Sequence, residues 1–416
     1  MHHKAHSRIE SSLVLALACT LAAFIASATS AAQTETVIGS PGITYAGVIF
    51  DTAGNLYGVT ENGGNSTNCK QGCGTIYELS PASEGTWTPT TLYDFQGLDD
   101  GETPYGGLVF DSAGNLYGTT QVGGTGGGGT VFKFSNANGS WTLTTLYSFN
   151  QPNDALYPNS SLIFDAEGNL YGTTAGGGKY AEGAVFKLAP TSNGAWKENV
   201  LHSFGAPGDG ASPNGPLLMD AQNNLYGTTE NGGAEGLGVV FELTHNPGGG
   251  WTEHIVYTST LSNEFGQPLA GVILDSAHNL YGTTFNGGKF GYGSVFRLAR
   301  IQLDGQLIWK EILLYSFTGG TDGANPAAPL TRDAAGNLYS TTQFGDPTGC
   351  NSFYSCGQVF KLSLGNTGHW SVAALYPIPD FLDPNGSLVL DSSGNIYGTA
   401  IDNHYFTFGE VYEVSP

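Results

Sequence analysis

At 416 residues and 40% hydrophobic composition, the chain is too long for one undivided core and must be several domains or an array of repeats. Its 63 glycines follow no collagen period and its aromatic share is too high for a disordered chain, so glycine serves here as turn chemistry. A net charge of −22 repels nucleic acid and anionic membranes, which excludes both as partners, and suits solubility outside the cell or contact with cations and basic groups.

The chain opens on His2, His3, Lys4, His6 and Arg8, continues with an apolar run over 13–25, and then turns to the small residues Ser30, Ala31 and Ala32. That order is the pattern of an export signal, and the run is too short for a comfortable membrane span. The expectation is a signal peptide over 1–32, a single domain over 33–416, and a secreted protein, extracellular or periplasmic, with no membrane insertion once the signal is removed. Cys19 does not make a lipidation site, because the bulky Leu17 stands two residues before it and the apolar run continues past it.

Beyond the signal one motif dominates. DxxGNLYGTT, with small variations, recurs from Asp51, Asp111, Asp165, Asp220, Asp275, Asp333 and Asp391, a repeat of about 55 residues present seven times. Each copy resolves into four runs of strand character, termed a, b, c and d; in the second copy they cover 108–110, 115–120, 130–134 and 141–149. No helical period competes, so the predicted fold is all-β, a seven-bladed β-propeller. The last copy stops after strand c at 411–414, and the segment 34–38 stands where a strand d belongs. Aligning Val37 and Ile38 with Leu92 and Tyr93, the sequence predicts that the N-terminal strand completes the last blade and closes the ring.

Residues shared by every copy are read as architecture. The fourth motif position is Gly, Asn223 or His278, the residues most tolerant of positive φ, and the Asp before it locks the turn. All six tryptophans stand at the start of a strand d, and with the aromatics of strands b and c they are expected to fill the layers between blades. Cys69 with Cys73, and Cys350 with Cys356, form local pairs in b-to-c loops; in an exported chain disulfides are expected there.

Function is sought where the copies differ. The d-to-a and b-to-c loops emerge on one face of a propeller, and here both are long and variable, as at 121–129, 175–183 and 401–409. The d-to-a loops carry an acid four residues before a proline: Asp100, Asp154, Asp209, Glu264, Asp322 and Asp380, with Ser40 and Thr44 in the first blade. Two readings stand. The six carboxylates form a ring that holds calcium or draws in a cationic ligand, or each acid caps its own turn. His404, near Asp402 and Glu410, is the one histidine in a loop of that face and is read as a surface residue. No GxSxG, HExxH or phosphate-binding motif is present, and no catalytic residue or certain cofactor is assigned, calcium being the single candidate ion.

With GGLVFDSAGNLYGTTQVGG over 106–124, GGTVFKF over 128–134 and LYSF over 146–149, the chain resembles the GloVer tandem-repeat family, whose repeats were grouped from Gloeobacter and Verrucomicrobia. The resemblance covers nearly all of 33–416. It implies export and, in many members, a C-terminal anchor; this chain ends at Val414, Ser415 and Pro416 without an apolar tail. It implies no activity and no site residues. The turn is also similar to that of NHL-type propellers, which include binding scaffolds and lactonase-like enzymes. The resulting expectation is a monomeric extracellular binding module for a glycan, a protein or a cationic ligand; the alternative is a metal-dependent hydrolase or lyase at the mouth of the central channel.

Overall fold

The computed structural model describes residues 34–150, 154–260, 266–345, 357–378, 382–402 and 408–415. These residues form seven small antiparallel sheets arranged about an axis, a seven-bladed β-propeller, with one 3-10 turn at Ser83–Gly85. In blade 2 the strands are a at Val109–Phe110, b at Leu116–Thr120, c at Thr130–Ala137 and d at Ser140–Ser148, paired in that order. Strand b is buried at every position because a neighbouring blade covers each of its faces. That crowding explains its glycine: a Cβ on Gly118 would lie 2.6 Å from the Phe132 ring of strand c.

The ring closes as the sequence predicts. Thr34–Gly39 pairs antiparallel with Gly409–Ser415 and supplies strand d of blade 7. The register, however, differs by one residue from the sequence alignment. In complete blades a bulge skips Leu92 or Leu146 and sets Tyr93 or Tyr147 opposite strand c; in blade 7 it skips Ile38 and sets Gly39 opposite Val411. Ile38 therefore corresponds to Leu92 and Gly39 to Tyr93. A tyrosine has no room there, because even a Cβ on Gly39 would lie 2.8 Å from Leu79.

The hydrophobic core is not central but divided among the seams between blades. Seven buried clusters each join adjacent blades; the closing one unites Ile38, Tyr397 and Val411 with Val48, Leu56, Tyr77 and Leu79. Across these seams tryptophans meet the strand-b tyrosine of the preceding blade with their rings tilted or edge to face, Trp141 against Tyr57, Trp87 against Tyr397 and Trp309 against Tyr226. One detail departs from the expectation that every tryptophan begins a strand d. Trp309 is the fourth residue of Gln306–Ser316, because blade 5 extends its c–d hairpin by a tight turn at Asp304 and Gly305, both with positive φ.

The DxxGN turn is left-handed at its fourth position in every blade, including Asn223 at φ 64° and His278 at φ 61°. Its aspartate is a lock. Asp275 accepts from the backbone N–H of Ala277 and Asn279 at 2.9 Å, from Asn279 Nδ2 at 2.8 Å and from the Tyr281 hydroxyl at 3.0 Å. Burial pushes this carboxyl up, but the four donors outweigh it and the net shift is downward. Its stabilising effect is thus present above the ordinary aspartate range and is lost as pH falls through the lowered folded value. Asp275→Ala is expected to cost about 2 kcal/mol in denaturant titrations at pH 7 and less near pH 3; a cost equal at both would show that the turn is held by its backbone alone.

The inner strand is divided, which the sequence did not reveal. Before strand a, a short segment in the d-to-a connection pairs with the far end of strand b: Ala155–Pro158 against 174–177, Gly210–Pro213 against 229–232, and Ala324–Pro326 against 342–344. The break between the two inner segments lies at the central channel.

Candidate functional site at the channel mouth

The four described acids of the d-to-a loops, Asp100, Asp154, Asp209 and Asp322, engage their own turns. Asp100 accepts from the Tyr93 hydroxyl and Gln96 N–H, both at 2.9 Å. Asp154 accepts from Tyr147 at 3.2 Å and Asn150 N–H at 2.9 Å, and Asp322 from Tyr315 at 2.9 Å and Thr318 N–H at 2.8 Å. Asp209 meets His202, which replaces the tyrosine, at 3.1 Å. The loop leading from blade 7 into blade 1 lacks both groups, with Ser40 in place of the acid and Gly39 in place of the tyrosine. Cys69 and Cys73 are disulfide-bonded and staple the b-to-c loop of blade 1. Glu264, Asp380, Cys350, Cys356 and His404 lie outside the described residues.

The two variable loop sets share one face and are stitched together. The N–H groups of Thr103, Tyr157, Ser212 and Asn325, each directly before a proline, donate to carbonyls of the preceding blade's b-to-c loop at Cys73, Gly128, Glu182 and Tyr292, over 2.8–3.0 Å. All four residues are held at positive φ, between 54° and 62°. This conformation costs about 1–3 kcal/mol per residue and persists only because the paired segments on either side impose it.

The loop proline, replaced by Thr44 in blade 1, delivers the residue after it into the channel, where it is half-buried. Going around the ring these residues are Tyr45, Tyr105, Asn159, Asn214, Leu269, Ala327 and Asn385, and with their neighbours they line an axial cavity of about 280 Å³. In a repeat that keeps its Asp, Asn and Tyr in every copy, this layer is polar and aromatic over five blades and apolar at Leu269 and Ala327. Tyr45 and Tyr105 stack at 4.8 Å with their planes 20° apart. Asn159 Nδ2 donates to Asn214 Oδ1 at 3.1 Å and to the Pro213 carbonyl at 3.2 Å, while Asn159 Oδ1 is buried and has no partner among the described residues. Opposite them Gln343 Nε2 donates to Asn385 Oδ1 at 2.7 Å.

Charge near this layer is negative. Burial, then Tyr45, Glu61 and Glu230, push the Tyr105 hydroxyl up to about 12, and burial, Glu61 and Asp383 raise Tyr45, so both remain phenols. Burial raises the Glu61 carboxyl as well. Among the described residues the cavity lining holds no lysine, arginine or histidine, so it offers nothing to neutralise an anion. Nor does any cluster of carboxylates or histidines mark this layer in the sequence. Its signal is the residue after the loop proline, which changes from copy to copy while the proline itself is present in six of the seven.

The family described as Gloeobacter/Verrucomicrobia repeat matches the chain over residues 26–219, 190–353 and 245–416. No curated protein matches it. Among solved structures, a protein described as an oxidoreductase (glucose dehydrogenase) from Thermus thermophilus is similar at 13% identity and TM-score 0.43, over 82% of this chain and 98% of that one. A protein of unknown function from Dyadobacter fermentans is similar at 12% identity and TM-score 0.41, over 92% and 99%. A gluconolactonase from Xanthomonas campestris is similar at 15% identity and TM-score 0.40, over 74% and 84%.

Proposed function

This chain belongs to the Gloeobacter/Verrucomicrobia repeat family, and we propose that it is an exported binding module that takes a neutral, polyhydroxylated ligand, the end of a glycan, at the mouth of its central channel. The observation that carries this reading is the chemistry of the axial layer. A stacked tyrosine pair offers a π-face to the C–H face of a sugar ring, and three asparagines and a glutamine offer donors and acceptors spaced for hydroxyl groups. A cavity of about 280 Å³ with no basic group favours an uncharged sugar over a phosphate or a uronate. The alternative of a metal-dependent hydrolase at the same mouth needs several carboxylates or imidazoles converging on one ion, whereas the donor set here is amides, hydroxyls and rings.

Titration of the purified protein against a panel of neutral oligosaccharides tests the reading. Saturable binding is expected, with Tyr105→Ala and Asn214→Ala each weakening it by about tenfold or more, a loss of about 1.4 kcal/mol. Absence of saturable binding across the panel, or full affinity in Tyr105→Ala, overturns it.

A further inference from the structure

We propose that His202, Asp209 and Glu253 form a site for one divalent transition-metal ion of the zinc class, clipping the outermost strands of blades 3 and 4 together. His202 lies in strand d of blade 3 at Trp196–Ser203, Asp209 in the loop leaving that blade, and Glu253 in strand d of blade 4 at Trp251–Thr258. His202 Nε2 stands 3.1 Å from Asp209 Oδ2 and 3.6 Å from Glu253 Oε2, and the three donor atoms all lie within 4.8 Å of one another. Ligands about 2.0–2.1 Å from a tetrahedral zinc are roughly 3.3 Å apart, so small adjustments bring this triangle onto one ion with a fourth position open to water.

Three further observations single out this cluster. Its side chains are mostly buried, at 20%, 5% and 14% exposure for His202, Asp209 and Glu253. Two carboxylates therefore sit out of solvent with one imidazole, and among the described residues no lysine or arginine pairs with either. Glu253 Oε1 is buried without a partner among the described residues, while Gly210 N–H holds Asp209 Oδ1 at 2.6 Å and leaves Oδ2 facing the histidine.

The adjacent seam supplies an internal control. There Tyr147, Asp154 and Glu198 occupy the equivalent positions, with a phenol where this cluster has an imidazole. Tyrosine satisfies the acid and is what the repeat uses at 93, 147, 257, 315 and 376. The histidine converts the same geometry into one nitrogen and two oxygen donors, a set suited to zinc and its neighbours and not to calcium.

The test is calorimetric titration of the chelator-stripped protein with zinc alone, backed by the visible spectrum of the cobalt-loaded form. One equivalent is expected to bind, with a cobalt spectrum of four-coordinate type. His202→Tyr restores the residue of the other blades, so it is expected to fold while losing zinc affinity by at least a hundredfold; Glu253→Leu is expected to lose tenfold or more. His254→Ala, altering the neighbouring histidine that bonds Thr244, is expected to bind as the unaltered protein does. No stoichiometric zinc binding by the folded protein overturns the proposal, as does undiminished binding by His202→Tyr.

Discussion

Deletion of Thr34–Gly39 is expected to lower the melting temperature by about 10 °C or more and to turn a monodisperse protein into an aggregating one. The segment supplies the outer strand of blade 7, and its removal uncovers both the backbone edge of Gly409–Ser415 and the cluster in which Ile38, 5% exposed, touches the walls of blades 7 and 1. An open strand edge beside an apolar seam is a template for pairing with another chain. Ile38→Asp separates the two contributions: it keeps the backbone ladder but places a charge in the seam, and should destabilise strongly with less aggregation. Thermal melts and light scattering read both. A shortened protein that melts and elutes like the intact one would show that the C-terminal strand needs no partner.

Glu198→Gln is expected to stabilise the protein in alkaline solution and to do little in acid. Burial, then a hydrogen bond and Coulomb repulsion from Asp154, push the Glu198 carboxyl up to about 9, with the Ala155 N–H opposing. The folded state therefore holds a proton that the unfolded chain releases near the ordinary glutamate value of about 4.3. With the folded pKa raised, the favourable contribution is complete below the unfolded value and drains away as pH rises toward 9. Glutamine reproduces the protonated acid, donating to Asp154 at every pH. A gain of about 2 kcal/mol at pH 8.5 that shrinks to near zero at pH 4.5 is expected from paired melts; an equal difference at both would locate the effect in packing.

The fold was legible because its determinants are local and repeated. Left-handed turns need Gly, Asn or His, and Asn223 and His278 sit where that rule requires; the aspartate lock, the strand-b tyrosine and the seam tryptophans each recur once per copy or nearly so. Closure was legible because strand d was missing at one end and present at the other. Its register was not, since Gly39 replaces the tyrosine that would have marked the bulge and the fit depends on Leu79, a residue remote in sequence. The divided inner strand escaped notice because it is two to four residues long and pairs through its backbone, leaving no side-chain period. The channel layer and the His202 cluster escaped for a different reason. The first takes one residue from each of seven segments, marked only by its place after the loop proline, and the second depends on a seam that sets Glu253 beside the preceding blade's loop, so neither forms a contiguous motif.

The pairing of Thr34 with Ser415 also constrains how the molecule is made. A chain growing from its N-terminus produces the clasp first and the strand it fastens last, about 380 residues later, so six sectors can stack while the clasp has nothing to hold. Completion is then a late, long-range event separated from the local events that build each sector, and a truncated product would carry a finished body that cannot lock.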